Sequence, residues 1–380
     1  MEISTLHDFI VVGAGGYGAA TAWHLSRSGA SVLILEAKEA ATGSSGGRGK
    51  RGVRGNRRDL RQAKLISESY ELWQDLANIL DHPTGFVRTS GIYLIEEEVH
   101  GITGGMVAAS VRAATQDRYG IETEVIGRDQ ILKVLPQVND KVRSGLLAHS
   151  DGMSSPGMTT AGYLQAAKKL GAELFTRTSV KSLKSEPQGG SVLTTDEQRF
   201  YAKKSILVSS NAGVNDIFKS SGIPQLPMWN VYPQALFVRT ENTPEMPLLV
   251  GHDSRRLSVK TVEDDLVMLS GGWRGAFNPH SKRGEPTSNS IQGNMSELAS
   301  SFPGLGQLEL EDSDASRAES VSVDQLPYLG RVNDGVYVVA GNSGHGWAVL
   351  PAASKYLSES MLNEEQNENL VAFSPNRHTR

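Results

Sequence analysis

Short apolar runs alternate with amphipathic stretches along the chain. Phe9–Val12 is a bare apolar run and predicts a buried strand. Ala19–Ser28 has helical spacing, and Ser31–Glu36 predicts a second strand, so the first 36 residues form a βαβ unit. Leu60–Leu80 repeats apolar positions at helical intervals, among them Leu65, Leu72 and Leu76. Ala161–Gly171 predicts a helix, and Ala172–Val180 leads into a strand. Ser205–Ser209 and Val336–Ala340 predict buried strands. Trp347–Leu362 predicts a helix with Pro351 in its first turns, and the polar stretch Asn363–Asn369 predicts a surface segment. Val87–Glu96 and Leu248–Gly272 predict strands joined by charged turns.

Parallel α/β signals thus occupy the start, middle and end of the chain, with antiparallel-looking strands between them. The expected class is α/β (α+β overall), with two domains interleaved along the sequence. One comprises residues 1–85, 146–222 and 316–380, and the other residues 86–145 and 223–315.

Composition narrows the chemistry. The 380 residues include no cysteine, which excludes disulfides, Cys-based metal sites and a Cys nucleophile. A formal net charge of −4 argues against a global field for nucleic acid or a membrane surface. No apolar run approaches the roughly 20 residues needed to span a bilayer. Met1–Asp8 has no basic leader region, so the expected location is cytoplasmic. There is no Gly-x-Ser-x-Gly elbow, no His-Glu-x-x-His and no Gly-Lys-Ser/Thr phosphate loop. Glycine is over-represented, at 40 residues, and eleven of these fall in the first 55 positions.

Those early glycines carry the first motif. Gly13-Ala14-Gly15-Gly16-Tyr17-Gly18 follows a predicted strand and opens a predicted helix. Glycine permits the tight turn and close backbone approach to a pyrophosphate, which the helix-start amides then hold. Glu36 ends the next strand, 23 residues after Gly13, where a carboxylate binds ribose hydroxyls and repels a 2′-phosphate. The motif in this context predicts a dinucleotide with an unphosphorylated adenosine ribose. A Gly-rich basic loop follows, Thr42-Gly43-Ser44-Ser45-Gly46-Gly47-Arg48-Gly49-Lys50-Arg51-Gly52-Val53-Arg54. Near the other end, Asp324-Gln325-Leu326-Pro327-Tyr328-Leu329-Gly330 precedes a strand and then Gly341-Asn342-Ser343-Gly344-His345-Gly346-Trp347. That second glycine turn opens a helix whose free amides suit the anionic end of a reduced flavin.

At these residues the chain resembles the D-amino-acid oxidase superfamily of flavoproteins, nearest to the sarcosine oxidase and glycine oxidase types. Gly47–Arg54 is similar to the G-R-N-T-T-x-V-R of sarcosine oxidase β-subunits, and Gly341–Gly346 to the family's Gly-x-Ser-Gly-His-Gly. Asp151-Gly152 through Gly171-Ala172, Ser209–Gly213 and the closing Phe373-Ser374-Pro375-Asn376-Arg377 resemble further family segments. The resemblance implies a Rossmann-like FAD-binding domain interleaved with a substrate domain on a mixed or antiparallel sheet. It implies FAD held by Gly13, Gly15, Gly16, Tyr17, Gly18, Glu36 and Ala37, and by Gly43, Ser44, Ser45, Gly47, Arg48, Gly49, Lys50 and Arg51 in the basic loop. It extends the contact set to Val180 at the adenine, to Asn211, Ala212 and Gly213, and to Gly344, His345, Gly346 and Trp347 at the flavin.

Four departures sharpen the expectation. The cysteine that carries covalent flavin in monomeric sarcosine oxidases corresponds to about Arg317, so FAD is expected to be non-covalent. The lysine of the family's carboxylate clamp falls at Ala348, which leaves Arg54 as its remaining half. The glycine-oxidase arginine falls at Glu319, where a carboxylate would favour a cationic amine; a two-residue slip would place Arg317 there instead. The lysine that assists oxygen reduction falls at Met268, which favours a dehydrogenase over a fast oxidase.

The resemblance implies oxidation of the C–N bond of an amine or amino acid, with O2 or another acceptor, and Arg54, His345 and Glu319 at the substrate. A flavin-dependent 2-hydroxy-acid dehydrogenase and an FAD-carrying β-like subunit of a larger dehydrogenase are the alternatives. Partner subunits, a carrier protein or self-association stay open, and no metal is expected. Tyr93, Trp229, Tyr232, Trp273, His252 and His280 are further candidates for the substrate side. The run Arg57, Arg58, Arg61 and Lys64 is expected to form a solvated basic face, with reception of an anionic substrate or a carrier protein as the alternative.

Overall fold

In the computed structural model, residues 6–42, 49–186, 189–263 and 265–378 are described. Two eight-stranded sheets dominate. The first is built on five parallel strands in the order Glu173–Phe175, Val32–Leu35, Leu6–Val12, Arg199–Val208 and Val336–Ala340. An antiparallel meander, Val180–Ser185 and Gly190–Thr194, extends one end of the long Arg199–Val208 strand. Tyr328–Asn333 pairs antiparallel with Val336–Ala340.

One face of this sheet is covered by the helices Gly16–Arg27, Ala63–Leu80, Pro156–Lys169 and Gly346–Asn363. Their apolar stripes close one core around Phe9, Val11, Ile34, Trp73, Tyr163 and Leu357. The strands Phe9–Val12, Val32–Leu35 and Val336–Ala340 are buried on both faces, which explains their lack of polar alternation. The opposite face packs the meander and the helix Val214–Ser220 around Leu183, Phe200 and Phe218.

The second sheet runs Leu308–Asp314, Ala235–Thr240, Leu266–Ser270, Ser258–Glu263, Leu249–His252, Gly91–Ile95, Ser144–Ala148 and Thr123–Gly127. It is antiparallel except where Leu249–His252 pairs parallel with Gly91–Ile95. The chain enters this sheet twice and returns to the first sheet each time. A small sheet in which Arg51–Val53 and Val87–Arg88 flank Gly152–Ser154 lies at the crossing.

Several expected boundaries move. The helix expected at 161–171 begins at Pro156, because Ser155 accepts a hydrogen bond from the Met158 amide and proline suits the first helical position. The segment expected as one lead into a strand splits into Glu173–Phe175 and Val180–Ser185, at opposite ends of the first sheet. The regions read as strands alone also contain the helices Met106–Arg118 and Ser288–Ser301. The first buries small Ala109 and Ala113 and polar Gln116, and the second mostly Ser and Asn, so neither shows a strong apolar stripe. The polar stretch Asn363–Asn369 lies at the surface as expected, and the chain after it is anchored by buried Leu370 and Phe373.

Candidate active site

The first glycine turn divides its work among its glycines. Gly13 has φ +106°, a conformation that favours glycine. A Cβ at Gly18 would sit 1.9 Å from the Gly13 carbonyl oxygen, so this glycine serves turn packing. A Cβ at Gly16 would meet Leu350 at 2.6 Å and Trp347 at 2.9 Å, so this glycine lets the first helix approach the last one. Gly15 alone would meet nothing within 4 Å, and it lines an open cleft at the helix start. The amides of Gly16 and Tyr17 belong to the first helical turn, whose N–H groups have no intrahelical partner.

Glu36 stands at the end of this cleft's strand. Its carboxylate accepts the amides of Ala14 (2.8 Å) and Lys38 (2.9 Å), which fixes its orientation while leaving lone pairs for a ligand. Ala37 is exposed beside it. The backbone of Arg177 and Thr178 bonds to Lys38 and Glu36, and Val180 follows, half-buried, at the start of the meander.

The second glycine turn is stitched to the strand Glu319–Ser322. The Gly341 amide donates to Ser320 Oγ (2.7 Å), the Ser343 amide to the Ser320 carbonyl (3.0 Å), and the Gly344 amide to Glu319 Oε1 (2.9 Å). Asn211 supports the same strand from its own turn, donating to Glu319 Oε2 at 3.2 Å and accepting from the Ser320 amide. Ala212 and Gly213 complete that turn, and the Ala212 carbonyl accepts from Asn230. The two glycine turns meet directly, because the buried Tyr17 hydroxyl donates to the Gly346 carbonyl at 2.7 Å. Burial, and then the Glu319 carboxylate, push the Tyr17 phenol far above its ordinary range, so it acts as a neutral donor. Trp347 donates to Ser154 Oγ at 2.7 Å, and its ring lines the cleft.

The cleft therefore runs from Gly15 and Gly16 past Asn211 and Arg51 to Gly344, Gly346 and Trp347. Open space over Gly15 and Gly344, helix-start amides at both ends and the oriented Glu36 carboxylate fit a dinucleotide such as FAD. Gly43, Ser44, Ser45, Gly47 and Arg48 lie outside the described residues. Gly49 adopts φ +91° over Met268 and Phe237, Lys50 is half-buried, and Arg51 reaches the cleft. Burial, reinforced by Arg317, lowers the Arg51 guanidinium to about 10, so it remains a cation at neutral pH.

Beyond Glu319 and Gly344 a second cavity of about 430 Å³ opens, lined by Arg54, Arg58, Tyr93, His252, Trp273 and His345 among others. Arg54 is only 5% exposed. Its Nη1 donates to the Tyr93 hydroxyl (3.0 Å), whereas its Nε and Nη2 are buried without a partner. The turn that aims it is pinned from all sides. Gly55 and Asn56 amides donate to buried Asp151, Asn56 donates to the Leu146 carbonyl, and the Arg57 amide donates to Gln116. Burial raises Asp151 above the ordinary carboxyl value, against the opposing pull of Arg54 and of its donors.

Burial and the cations together shift several titratable neighbours. Arg58, then burial and Arg54, hold His345 well below its ordinary value, so the imidazole is neutral. Burial raises the Tyr93 phenol, but Arg54, Arg58 and Arg57 together bring it below its ordinary value. Burial lowers His252 to about 4 despite nearby Glu96. Lys260 emerges here without a sequence signal. It is buried, pairs across the sheet with Met268, and is brought down to about 7 by burial, with Arg51 and Arg54 adding to the effect.

The expected basic face does not form as one surface. Arg57 pairs with Asp253, Arg61 pairs with Asp59, and Arg58 turns into the cavity. The aromatic candidates also separate. Tyr93 and Trp273 line the cavity, whereas Trp229 is exposed and Tyr232 stacks on Phe277. His252 lines the cavity, and His280 is exposed. Glu319 lines both the cleft and the cavity; Arg317 lines neither.

Residues 8–360 match the sequence model of the DAO family, FAD dependent oxidoreductases. The chain is similar to the sarcosine oxidase subunit beta of Rhodobacter capsulatus, at 24% identity over 93% of this chain and 84% of that protein. It is 25% identical to the mitochondrial dimethylglycine dehydrogenase of Rattus norvegicus over 98% of this chain, but spans only 45% of that longer protein. Its fold superposes on the L-proline dehydrogenase of P. horikoshii with a TM-score of 0.87 at 20% identity, covering 99% of this chain and 98% of the other.

Proposed function

The chain belongs to the DAO family of FAD dependent oxidoreductases, and from that premise we propose that it oxidises the C–N bond of an amino acid, primary or secondary, to an imine that water hydrolyses. The observation that carries the amino-acid reading is the unpartnered Nε–Nη2 edge of buried Arg54. That edge offers two parallel donors to a substrate carboxylate in a site sheltered from water. The similarity to a sarcosine oxidase subunit and a dimethylglycine dehydrogenase supports the same chemistry. We read residues 1–85, 146–222 and 316–380 as the FAD-binding domain and 86–145 and 223–315 as the substrate domain; the two large sheets follow this division except at Ser144–Ala148, a strand of the second sheet that straddles the 145/146 boundary.

FAD supplies the hydride acceptor when bound. The chain holds it by the amides of Gly15, Gly16 and Tyr17, by Glu36, and by the turn Gly344–Trp347. The absence of cysteine excludes thioether attachment. Glu319 works by fixing the Gly344 amide and so the shape of this turn.

The substrate nitrogen must present a free lone pair as its α-hydrogen leaves with the bonding electrons. Arg54 and Arg58 disfavour a second positive charge in this cavity, as the neutral His345 records. They therefore favour the neutral amine, while Arg54 orients the carboxylate. The Glu319 charge does not dominate the cavity, because its oxygens are engaged by Gly344 and Asn211 and four arginines, Arg54, Arg58, Arg255 and Arg274, share the lining.

Anaerobic mixing of the yellow holoenzyme with amino acids should bleach the flavin absorbance. Arg54→Met should raise KM about 100-fold, with a smaller change in kcat, because a buried charged pair is lost. Bleaching by 2-hydroxy acids and by no amine would overturn this reading.

A further inference from the structure

The cavity holds more positive charge than one α-carboxylate requires. Arg255 is matched by Glu96 and Glu297, and Arg57 by Asp253. Neither Arg54 nor Arg58 has a carboxylate within ion-pair distance among the described residues. Asp151 lies behind them outside ion-pair distance; its Oδ1 accepts from Gly55, Asn56 and Tyr70, and its buried Oδ2 has no hydrogen-bond partner. Glu319 is likewise engaged by Gly344 and Asn211.

Arg58 is placed for a ligand of its own. Its Nε donates to the Arg54 carbonyl at 3.3 Å, which sets its side chain beside that of Arg54 and leaves the terminal nitrogens toward the cavity they both line. Two guanidinium groups four residues apart on one pinned turn therefore face the same cavity. Packing like charges together out of water is costly unless anions join them. The Arg54 edge accounts for one anion. A space of about 430 Å³ also exceeds what a two-carbon amino acid fills.

We propose that the substrate is a dianionic amino acid, carrying a second carboxylate on its side chain or its N-substituent, and that Arg58 selects for that second anion. This rests on the C–N oxidation reading and adds the substrate class and a specificity-determining residue. The depressed imidazole of His345 reports the same surplus, since Arg58 is the largest influence on it.

The test uses the holoenzyme and anaerobic flavin bleaching. Iminodiacetate is compared with N-methylglycine, and glutamate with glutamine, in wild type, Arg58→Met and Arg58→Lys. The expected result is at least a ten-fold lower half-saturating concentration for one of the dianions than for its monoanionic partner. Arg58→Met should remove that preference, raising the half-saturating concentration of the dianion at least ten-fold more than that of the monoanion, and Arg58→Lys should restore part of it. If Arg58→Met fails to retain flavin, the lysine variant decides, through a reduced preference with an unchanged flavin spectrum. Equal use of dianions and monoanions by wild type, or equal loss of both in the variant, would overturn the inference and leave amino-acid oxidation standing. Bleaching by 2-hydroxy acids alone would instead remove the reading on which it rests.

Discussion

At the scale of single residues, positions of one amino-acid type do different jobs. Gly15 and Gly18 belong to one motif, yet a methyl group at Gly15 enters the cleft and one at Gly18 collides with the Gly13 carbonyl. Gly15→Ala should cost the flavin-free protein no more than about 1 kcal/mol, the scale of a weaker helix cap. Its FAD affinity, followed by flavin fluorescence quenching, should nonetheless fall sharply. Gly18→Ala should lower stability by about 3 kcal/mol through overpacking, read from urea unfolding.

Lys260 makes a second residue-scale case. Its ammonium is lowered to about 7 in the fold, mainly by burial, and returns to about 10.5 in the unfolded chain. Between those values the unfolded chain binds more protons, so stability rises with pH across that window. The penalty is largest below pH 7. Lys260→Met should therefore raise flavin-free stability by about 3 kcal/mol at pH 7, and the two proteins should converge near pH 10.5. Equal urea midpoints at pH 7 would show that the buried ammonium costs the fold nothing.

At the scale of elements, strands and turns are held in place by segments remote in sequence. Arg377 lies near the C-terminus, but its guanidinium grips Asp324 through two hydrogen bonds of 2.8 and 2.9 Å. It also donates to the carbonyls of Leu326, Pro327, Phe373 and Ser374, and stacks 3.9 Å over the Tyr328 ring. It thereby clasps the turn between Glu319–Ser322, to which the second glycine turn is bonded, and Tyr328–Asn333, which pairs with the strand leading into that turn. Burial raises Asp324, but Arg377 brings it down to about 2. The folded value lies below the unfolded one, so this contribution is present above about pH 4 and lost as pH falls toward 2. Arg377→Met should cost about 2 kcal/mol at pH 7, and the difference from wild type should shrink at pH 2 to 3. A pH-independent difference in thermal unfolding would assign the effect to the carbonyl hydrogen bonds and the Tyr328 stacking and not to the Asp324 pair.

At the scale of the whole molecule, a net charge of −4 surrounds a cavity lined by Arg54, Arg58, Arg255 and Arg274. An anionic substrate is thus repelled weakly at a distance and attracted at the mouth, where low-dielectric walls focus the field. For such a substrate, kcat/KM should fall roughly three- to ten-fold as ionic strength rises from about 0.01 to 0.5 M and the Debye length shortens from about 30 Å to under 10 Å. The rate at saturation should hardly change. A flat salt response of kcat/KM would show that substrate capture is not steered by these arginines.

Much of the molecule was written in local pattern. The apolar runs at Phe9–Val12, Val32–Leu35 and Val336–Ala340 declare buried parallel strands because both their faces are covered. The two glycine turns and Glu36 declare a dinucleotide site because backbone conformation and helix-start amides are local properties. What local pattern leaves open is register, pairing and charge environment. The pairing of Lys260 with Met268 follows from strand register, which no single strand's sequence states. Arg57, Arg58 and Arg61 read alike as basic residues, and only the folded chain sends one to Asp253, one to Asp59 and one into the cavity beside Arg54. The free edge of Arg54 and the neutral state of His345 depend on which groups stand near them after folding. Sequence by itself determined the family, the cofactor and the interleaved α/β plan. Tertiary structure decided which cations are left uncompensated, because electrostatic pairing is set by distance in space and burial rather than by order along the chain.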